Sequence, residues 1–340
     1  MTRTFNRVLV TGGAGFIGSN FVRLLRSTRP DTEVWVLDKL TYAGNPANLA
    51  EFEDDPGFRF LKGDICDAEL VDKLAGEVDA MVNFAAETHV DRSLTDPFSF
   101  VHADVLGTAV LCDAACRHDH EAFLLVSTDE VYGDVSTGRS LEDDALRPRS
   151  PYSASKAGGE HIAHAFATSH GLPLLVTRGA NTYGPYQYPE KIVPVFVTNA
   201  IDGMPLPLYK DGSAVRDYLH VEDHCRAIDL VLHEAPTSQV YNVGTGVETS
   251  GRELAGLLLE LMGKPESLIQ YVADRKGHDY RYALSSAKIT EQLGWRPRVE
   301  LREGLERTVR WYTDNQAWWR PLKSGEYWEY YRRNYRPLDS

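Results

Sequence analysis

Residues 7–18 read RVLVTGGAGFIG, a short run of branched apolar residues that ends in a glycine-rich turn. Gly12, Gly15 and Gly18 stand three positions apart, and apolar residues at helical spacing follow them. In a strand–turn–helix unit, such glycines allow a tight turn, close approach of the backbone to a pyrophosphate and close packing of helix on strand. The N-terminus of the helix adds free N–H groups and a positive dipole end. This stretch therefore predicts the first unit of a dinucleotide-binding fold.

Further short apolar runs follow, and helical patterns separate them. Strands that alternate with helices form right-handed βαβ units and a parallel sheet, whose strands are apolar throughout because both faces are buried. The predicted strands are residues 7–10, 34–37, 58–61, 80–84, 122–127 and 172–178, with 217–221 and 240–243 later in the chain and an amphipathic helix at 253–262. The predicted fold class is α/β, a Rossmann-type doubly wound parallel sheet with a smaller α/β C-terminal substrate-binding domain.

The composition of the sequence changes after residue 180, where prolines become frequent. Five prolines fall between residues 185 and 207, and proline breaks long helices and central strands. We therefore expect residues 1–180 to form a NAD-binding domain, to which residues 216–245 return, and residues 181–340 to form mainly the substrate-binding domain. Four of the six tryptophans lie in the last 30 residues. This tail is expected to dock by its aromatic faces, either on its own subunit or on a partner.

Composition and charge exclude several classes of protein. The 340 residues include 36 Lys and Arg against 49 Asp and Glu, a net charge of -13, whereas binding to nucleic acid or to an anionic membrane needs a basic surface. The chain shows no apolar run of about 20 residues and no signal-peptide pattern. Four cysteines are too few for a disulfide framework, and Cys112 and Cys116 are expected to pack on a helix rather than bind metal. We expect a cytoplasmic protein with no metal, nucleic-acid or membrane ligand.

Two aspartates follow predicted strands and point to the dinucleotide. Asp38 ends the second strand 20 residues after Gly18, where an acid that binds the ribose hydroxyls is expected. Its charge would repel a 2′-phosphate, which favours NAD over NADP. Asp64 follows the third strand and is placed to bond the adenine amine, although an aspartate after a glycine is also typical of a simple turn.

Tyr152 and Lys156 stand at positions i and i+4, on one face of a helix that begins with Pro151. A phenol with a pKa of about 10 is a poor base at neutral pH. A nearby ammonium group and the positive nicotinamide ring favour the phenolate and lower that pKa. The pair is a weak signal alone, but here it follows a glycine motif and a strand that ends at Ser127, which indicates a proton-transfer site.

This combination resembles the extended short-chain dehydrogenase/reductase family over nearly the whole chain. The segment STDEVYG at 127–133 is more specific, because two adjacent acids follow the first threonine, and it resembles the dTDP-glucose 4,6-dehydratases of that family. The other segments that carry this resemblance are AAETHVDRS at 85–93, NTYGPYQ at 181–187, PEK at 189–191, VRD at 215–217 and DRKGHD at 274–279.

The resemblance implies dehydration of dTDP-glucose to dTDP-4-keto-6-deoxyglucose with retained NAD. In the implied mechanism Tyr152 takes the proton of the sugar 4-hydroxyl, Thr128 bonds O4, and the C4 hydride goes to NAD. Glu130 then removes the C5 proton, Asp129 protonates the departing 6-hydroxyl, and hydride returns to C6. The acid and the base must hold opposite protonation states, which two close carboxyls reach because ionising both is costly.

The resemblance also supplies the residue sets. Those expected at the cofactor are Gly12, Gly15, Phe16, Ile17, Gly18, Asp38, Lys39, Asp64, Ile65, Ala85, Ala86, Tyr152 and Lys156. Those expected at the nucleotide-sugar are Glu87, Thr128, Asn181, Lys191, Pro207, Tyr209, Arg216, Asn242, Arg275 and His278. Among these, Arg216 and Arg275 are expected on the diphosphate. A homodimer through helices of the cofactor domain is expected as well.

Other functions stay open at this point. A 4-epimerase or a UDP-glucuronate decarboxylase begins with the same C4 oxidation but needs no acid to expel the 6-hydroxyl. A 4,6-dehydratase could also act on a UDP-sugar, since one methyl group in a pocket is worth only about 1–3 kcal/mol. A NAD-sensing protein without catalysis is a different class, and it has no need of the set Thr128, Tyr152 and Lys156.

Overall fold

The computed structural model describes residues 2–274 and 277–335. The strands are β1 (Arg7–Thr11), β2 (Glu33–Asp38), β3 (Phe58–Lys62), β4 (Ala80–Asn83), β5 (Ala122–Thr128), β6 (Leu174–Gly179), β7 (Asn181–Tyr183), β8 (Leu206–Tyr209), β9 (Val215–His220), β10 (Gln239–Val243), β11 (Glu248–Ser250) and β12 (Ile269–Val272). The α-helices are α1 (Phe16–Thr28), α2 (Ala68–Ala75), α3 (Val90–Ser93), α4 (Pro97–Phe100), α5 (Thr108–Arg117), α6 (Pro151–His170), α7 (Ile192–Ile201), α8 (Val221–Glu234), α9 (Gly251–Leu261), α10 (Ala287–Leu293), α11 (Leu301–Asp314), α12 (Gln316–Trp319) and α13 (Gly325–Asn334). Segments of 3-10 helix lie at Pro46–Phe52, Asp129–Tyr132 and Glu266–Leu268, and a π-helical segment lies at Val101–Gly107.

Seven parallel strands form the large sheet, in the order β10-β6-β5-β4-β1-β2-β3. In β1, Val8 pairs with Val34 on one side and with Ala80 on the other. Val8 and Val10 pack in the core on one face of the sheet, and Leu9 packs in the core on the opposite face. The predicted doubly wound parallel sheet is therefore confirmed, and burial on both faces explains why its strands are apolar throughout.

The strand order reverses between β1 and β4, because the chain first builds outward through β2 and β3 and then crosses to β4. In open α/β sheets, ligands bind in the crevice at the carboxyl ends of the strands next to such a reversal. Of the residues 216–245 predicted to return to this domain, β10 pairs with β6 in the large sheet, whereas β9 pairs with β7 and β11 in a smaller one. Smaller sheets of β11-β9-β7 and β12-β8, with a separate core, flank the crevice. The boundary at residue 180 stays a prediction.

One helical stretch, Pro97–Arg117, is long and apolar enough by length and composition to cross a membrane, which the sequence reading did not anticipate. In the fold, however, it packs on α6, and its Asp104 is buried there beside Ser155. Cys112 and Cys116 belong to the last part of this stretch, where Cys112 is buried in the core and Cys116 packs against it, as predicted. The stretch is therefore a packed helix of the layer that covers the large sheet.

The aromatic tail docks on its own chain. Trp319 is fully buried, and its indole Nε1 donates a hydrogen bond to the carbonyl of Tyr312 at 2.8 Å. The indole Nε1 of Trp318 donates to Oδ1 of Asn48 at 2.8 Å. These contacts join the first half of the tail to Asn48 near the large sheet and to Tyr312 of α11.

Candidate active site

A cavity of about 570 Å³ opens at the carboxyl ends of the large sheet, where the strand order reverses. Nearly all of the predicted site residues line it. The residues that the structure brings together are Gly12, Gly15, Phe16, Ile17, Gly18, Asp38, Lys39, Asp64, Ile65, Ala85, Ala86, Glu87, Thr128, Asp129, Glu130, Tyr152, Lys156, Asn181, Lys191, Pro207, Tyr209, Arg216 and His278. The predictions for Asn242 and Arg275 are considered separately below.

The cofactor end of the cavity is made by the glycine turn. Gly12 has φ +69°, and a Cβ added there would lie 2.5 Å from the backbone nitrogen of Ala85. A Cβ on Gly18 would lie 2.4 Å from the carbonyl oxygen of Gly12. Gly15 caps α1 in an extended conformation, so the free N–H groups of the first turn stand at the cavity wall. The turn therefore has the shape that a pyrophosphate needs, and the residues present fit a dinucleotide.

Asp38 lies at the end of β2 and is buried at the cavity wall. Its Oδ2 accepts from the backbone N–H of Ala14 at 2.9 Å and its Oδ1 from that of Leu40 at 2.8 Å, so the carboxylate is fixed in position. Burial raises its pKa, and the two backbone donors oppose that rise. Asp64 pairs with Lys39 at 2.7 Å and accepts the turn bond from the N–H of Cys66, and its contact with the adenine amine stays a prediction. The acid expected at the ribose is in place.

Tyr152 and Lys156 lie in the first turns of α6. Ser150 caps this helix through a reciprocal bond with Ser153, and Pro151 occupies the first helical position, so the helix start is fixed. Lys156 is buried, and its ammonium Nζ donates to the carbonyl of Val126 at 2.9 Å. The i, i+4 spacing thus brings both side chains to the cavity as predicted.

The protein groups around Tyr152 shift its pKa upward, and the lowering expected beside the nicotinamide ring stays a prediction. Burial raises the pKa of this phenol well above its usual value, and the charges of Glu130 and Asp104 raise it further. A hydrogen bond with Thr128 opposes the rise. The prediction named two positive charges, the nicotinamide ring and the Lys156 ammonium, and the ammonium also donates to a backbone carbonyl of β5.

Asp129 and Glu130 follow β5 at the start of a 3-10 turn. The Thr128 hydroxyl donates to Oδ1 of Asp129 and accepts from the backbone N–H of Glu130, both at 3.3 Å. Asp129 is buried, and its Oδ2 has no hydrogen-bond partner within residues 2–274 and 277–335. Burial, and next the charge of Glu130, raise the pKa of Asp129 well above the usual range. Burial and the neighbouring charge therefore favour the neutral form of Asp129 beside a second carboxyl group.

The sequence reading missed Tyr282. Its hydroxyl donates to Asp279 at 2.6 Å and lies 3.4 Å from Oε2 of Glu130, within hydrogen-bond reach. Its ring stacks on Arg216, with the guanidinium carbon 4.2 Å from the ring centroid. This tyrosine connects the carboxyl pair to the opposite wall of the cleft. The only signal in the sequence is its position three residues after the DRKGHD segment.

Asp104 was also missed, although it orders the substrate side of the site. It lies in the π-helical segment, where Oδ1 accepts from the backbone N–H of Glu87 at 3.2 Å and Oδ2 accepts from Ser155. Burial raises its pKa to about 6, against the opposing charge of Lys156. Burial and the Asp104 charge likewise raise the pKa of Glu87. A buried aspartate within an apolar helix was the available signal.

The substrate end carries a buried cation. Three backbone carbonyls hold the guanidinium of Arg216: those of Val215 at 2.7 Å, Tyr280 at 3.1 Å and Asp279 at 2.7 Å. Because neutral carbonyls rather than a carboxylate fix this group, its charge stays available to an anion. Asn181 stands at the same cavity with a buried Oδ1 that has no partner among the described residues. Lys191 donates to the carbonyl of Thr88 at 2.7 Å.

Two predicted substrate residues are not brought into this set. Asn242 is fully buried away from the cavity wall: Oδ1 accepts from the Tyr132 hydroxyl at 2.7 Å and Nδ2 donates to the carbonyl of Ser140 at 3.1 Å. Both ends of its amide tie β10 to the segment after β5, and its contact with substrate stays a prediction. Arg275 lies outside the described residues, so its role stays a prediction.

A doubly wound sheet with a glycine turn, a tyrosine–lysine pair and a carboxyl pair in one cleft defines a NAD-binding enzyme of the short-chain dehydrogenase/reductase class. The family model for GDP-mannose 4,6 dehydratase matches residues 9–308. The chain belongs to this family. It is 54% identical over 321 residues to dTDP-glucose 4,6-dehydratase of Streptomyces antibioticus, covering 93% of this chain and 95% of that one. The resemblance predicted from the sequence is confirmed.

Solved structures agree with this placement. The dTDP-glucose 4,6-dehydratase DesIV of Streptomyces venezuelae, solved with NAD and TYD bound, is 52% identical with a TM-score of 0.91, covering 93% of this chain and all of that one. UDP-glucose 4-epimerase of Thermotoga maritima with UDP-glucose is 32% identical with a TM-score of 0.85, covering 91% and 99% of the two chains. The epimerase shows that this fold serves more than one sugar reaction, so the residues of the cleft must decide between them.

Proposed function

We propose that this protein is a NAD-dependent hydro-lyase that converts dTDP-glucose to dTDP-4-keto-6-deoxyglucose. The observation that carries the proposal is Asp129, a buried carboxyl group whose pKa is raised and which stands beside Glu130 in the cleft of Tyr152 and Lys156. A 4-epimerase has no need of an acid to expel the 6-hydroxyl. The similarity to named dTDP-glucose 4,6-dehydratases supports the same reaction.

The first half of the reaction belongs to α6 and the end of β5. NAD, when bound, supplies the hydride acceptor for C4 and later the hydride donor for C6. Tyr152 takes the proton of the 4-hydroxyl, helped by the positive nicotinamide ring, which lowers the phenol pKa that burial raises. Thr128, hydrogen-bonded to this phenol, bonds O4 as charge develops there. Lys156 adds a fixed positive charge in the same buried region.

The second half belongs to the carboxyl pair. Glu130 removes the C5 proton, which the new 4-ketone acidifies, and Asp129 gives its proton to the departing 6-hydroxyl. The two groups take different roles because burial raises the pKa of Asp129 and so favours its protonated form. After water has left, the proton held by Glu130 returns to C5. Tyr282, which lies 3.4 Å from Oε2 of Glu130, holds this carboxyl group in place.

The substrate is held by charges that are local. Arg216 bonds the diphosphate, Asn181 and His278 lie near it, and Glu87 contacts the sugar hydroxyls. The net charge of -13 repels anionic ligands at long range, so these fixed groups must supply the attraction. Lys191 lies with its Nζ 5.8 Å from the centroid of the Tyr152 ring and adds a cation between the two ends of the cleft.

We also propose a homodimer formed through the helical stretch that covers the large sheet. Leu94, Phe98, Val101 and Leu106 are exposed there, Phe98 by 82%, and clustered exposed apolar residues mark an interaction site. A Phe98→Glu variant is expected to elute as a monomer with light-scattering detection, whereas Val247→Glu, at another exposed apolar residue, leaves the dimer intact. A monomeric wild type would contradict the proposal.

The proposed location is the cytoplasm, because all four cysteines are free thiols in the structure and a reducing compartment keeps them so. Cell fractionation with an antibody to the protein tests this, and recovery outside the cytoplasmic fraction would refute it.

A product assay tests the proposed reaction. The purified protein is incubated separately with dTDP-glucose, UDP-glucose, GDP-mannose and UDP-glucuronate. The mass of each nucleotide-sugar is then measured by mass spectrometry. We expect loss of one water from dTDP-glucose without net consumption of NAD. Loss of carbon dioxide from UDP-glucuronate would identify a decarboxylase instead. Unchanged mass with a new 4-epimer would identify an epimerase, and bound NAD with no product from any sugar would indicate a sensor.

A further inference from the structure

The C-terminal aromatic helix α13 reaches the substrate end of the cleft. Tyr335, directly after the helix, lines the cavity together with Tyr209, Pro207 and His278. The rings of Tyr209 and Tyr335 have centroids 5.7 Å apart, and those of Tyr209 and His278 are also 5.7 Å apart. A cluster of aromatic rings, tilted by 38° between Tyr209 and Tyr335 and by 69° between Tyr209 and His278, therefore lines the part of the cavity that the catalytic residues do not use.

One carboxylate oxygen connects this surface to the helix. Oδ2 of Asp91 accepts from the hydroxyl of Tyr209 at 3.1 Å and from the hydroxyl of Tyr330 at 3.0 Å. The Tyr330 hydroxyl also lies 3.2 Å from Nε2 of His89, whose ring meets the Tyr330 ring edge-on. The same carboxylate oxygen therefore links Tyr209 to Tyr330. These contacts involve His89 and Asp91 of the AAETHVDRS segment, to which the proposed mechanism assigns no role.

The helix is anchored independently of these groups. Nδ2 of Asn199 in α7 donates to the hydroxyl of Tyr331 at 2.8 Å, and the buried Lys323 donates to Oδ1 of the same asparagine at 3.0 Å. Tyr327 is buried as well. The hydroxyl of Tyr331 can therefore be removed without touching the cleft, which separates docking of the helix from the function of Tyr330.

We propose that α13 builds the nucleoside end of the substrate cleft, where Tyr335 contacts a planar pyrimidine base and Tyr330 is a positioning residue that acts through Asp91 on Tyr209. The inference rests on the proposed function. The sugar must reach Tyr152, and the diphosphate pairs with Arg216. The base then extends toward the remaining aromatic wall, and stacking on aromatic rings is the interaction that a pyrimidine offers.

Calorimetric binding of dTDP to the full-length protein tests this, with KM, kcat and NAD content measured on the same preparations. Tyr330→Phe and Tyr335→Ala are expected to weaken dTDP binding and to raise the KM for dTDP-glucose by about 10-fold, with kcat and bound NAD unchanged. Tyr335→Phe, which keeps the ring, restores most of the affinity. Tyr331→Phe is the matched control and leaves dTDP affinity at the wild-type value.

Wild-type affinity in both Tyr330→Phe and Tyr335→Ala would overturn the inference. So would an equal loss in Tyr331→Phe, because the effect would then come from undocking of the helix. A wild-type protein that binds dTDP but does not dehydrate dTDP-glucose would overturn the proposed function, and the variants would still decide the fate of the base site.

Discussion

The two ends of the cleft are built in different ways. At the cofactor end, one contiguous turn presents backbone, and Gly12 and Gly18 lie so close to neighbouring backbone that a Cβ has no room. At the substrate end, side chains from separate elements meet. Tyr209 is the last residue of β8, Arg216 lies in β9, and Tyr335 lies near the C-terminus. The first end is a shape fixed by local sequence, and the second is a surface assembled by the tertiary fold.

The two ends are therefore expected to be sensitive to different kinds of substitution. A site made of backbone tolerates loss of single side chains but not an added Cβ. A site made of collected side chains loses affinity one group at a time, and each loss leaves the other end intact. The carboxyl pair lies where the two ends meet, so it governs the rate of chemistry without holding either ligand.

The largest expected effect comes from filling the backbone approach. Gly12→Val would place a side chain 2.5 Å from the Ala85 nitrogen, at a φ of +69° that costs L-residues about 1–2 kcal/mol. We expect protein purified without NAD and activity lowered by at least about 1000-fold. Gly203→Val is the matched control, because φ there is +68° but no atom lies within 4 Å. NAD retained in Gly12→Val would show that the turn does not hold the cofactor.

Asp129→Asn tests the carboxyl pair, which lies between the cofactor end and the substrate end of the cleft. Removal of a general acid lowers kcat by about 10²–10⁴-fold, and we expect NAD content and dTDP affinity to stay at wild-type values. Steady-state kinetics and calorimetry measure these quantities. A variant with normal kcat would remove Asp129 from the elimination step.

The same variant has a pH signature in stability. Burial and the Glu130 charge raise the pKa of Asp129 in the folded protein, whereas in the unfolded chain it is about 4. As pH rises above about 4, the unfolded chain loses this proton first, so the wild type loses stability until the folded pKa is passed. The Tm of Asp129→Asn minus the Tm of the wild type should therefore increase between pH 5 and pH 8. A difference in Tm that decreases with rising pH would contradict a raised pKa of Asp129.

At the substrate end, Arg216→Gln should raise the KM for dTDP-glucose by about 10–100-fold, since a charge-assisted hydrogen bond is worth roughly 1.5–3 kcal/mol. NAD content should not change, because this side chain belongs to the other end. Arg281→Gln is the control, as Arg281 pairs with Glu248 and does not line the cavity. Equal losses in the two variants would point to general destabilisation.

The smallest effect is expected from a side chain at the cofactor end. Lys39 pairs with Asp64, but it is 59% exposed and such pairs contribute about 0–1 kcal/mol. Lys39→Ala should weaken NAD binding by less than about 5-fold in fluorescence titration. A loss of 100-fold would show that side chains, and not the backbone turn, dominate this end.

The sequence predicted the cofactor end well because its signals are local. Spacing alone places Gly12 to Gly18 at a helix start, Asp38 at the end of a strand, and Tyr152 and Lys156 on one helix face. The substrate end depends on which distant segments meet, and no spacing reports that. Asn242 stands near the right strands in the sequence but turns into the protein, where Tyr132 and Ser140 satisfy its amide.

The residues that sequence reasoning missed share the same cause. Tyr282 reaches Glu130 across 152 positions of the chain, and Tyr330 reaches Asp91 across 239. The upward shift of the Tyr152 pKa depends on burial and on the charges of Glu130 and Asp104, and these groups come together only in the folded protein. Long-range contacts of this kind are set by the packing of α6, α13 and the π-helical segment.

The most direct test of the account uses dTDP-glucose that carries deuterium at C4. If one cleft holds NAD at its backbone end while Asp129 and Glu130 expel water at its centre, the C4 label must leave and return within one bound substrate. The account predicts a product that is lighter by one water and carries the deuterium at C6, located by NMR. Deuterium that stays at C4, or a dehydrated product whose label has gone to solvent, would contradict it.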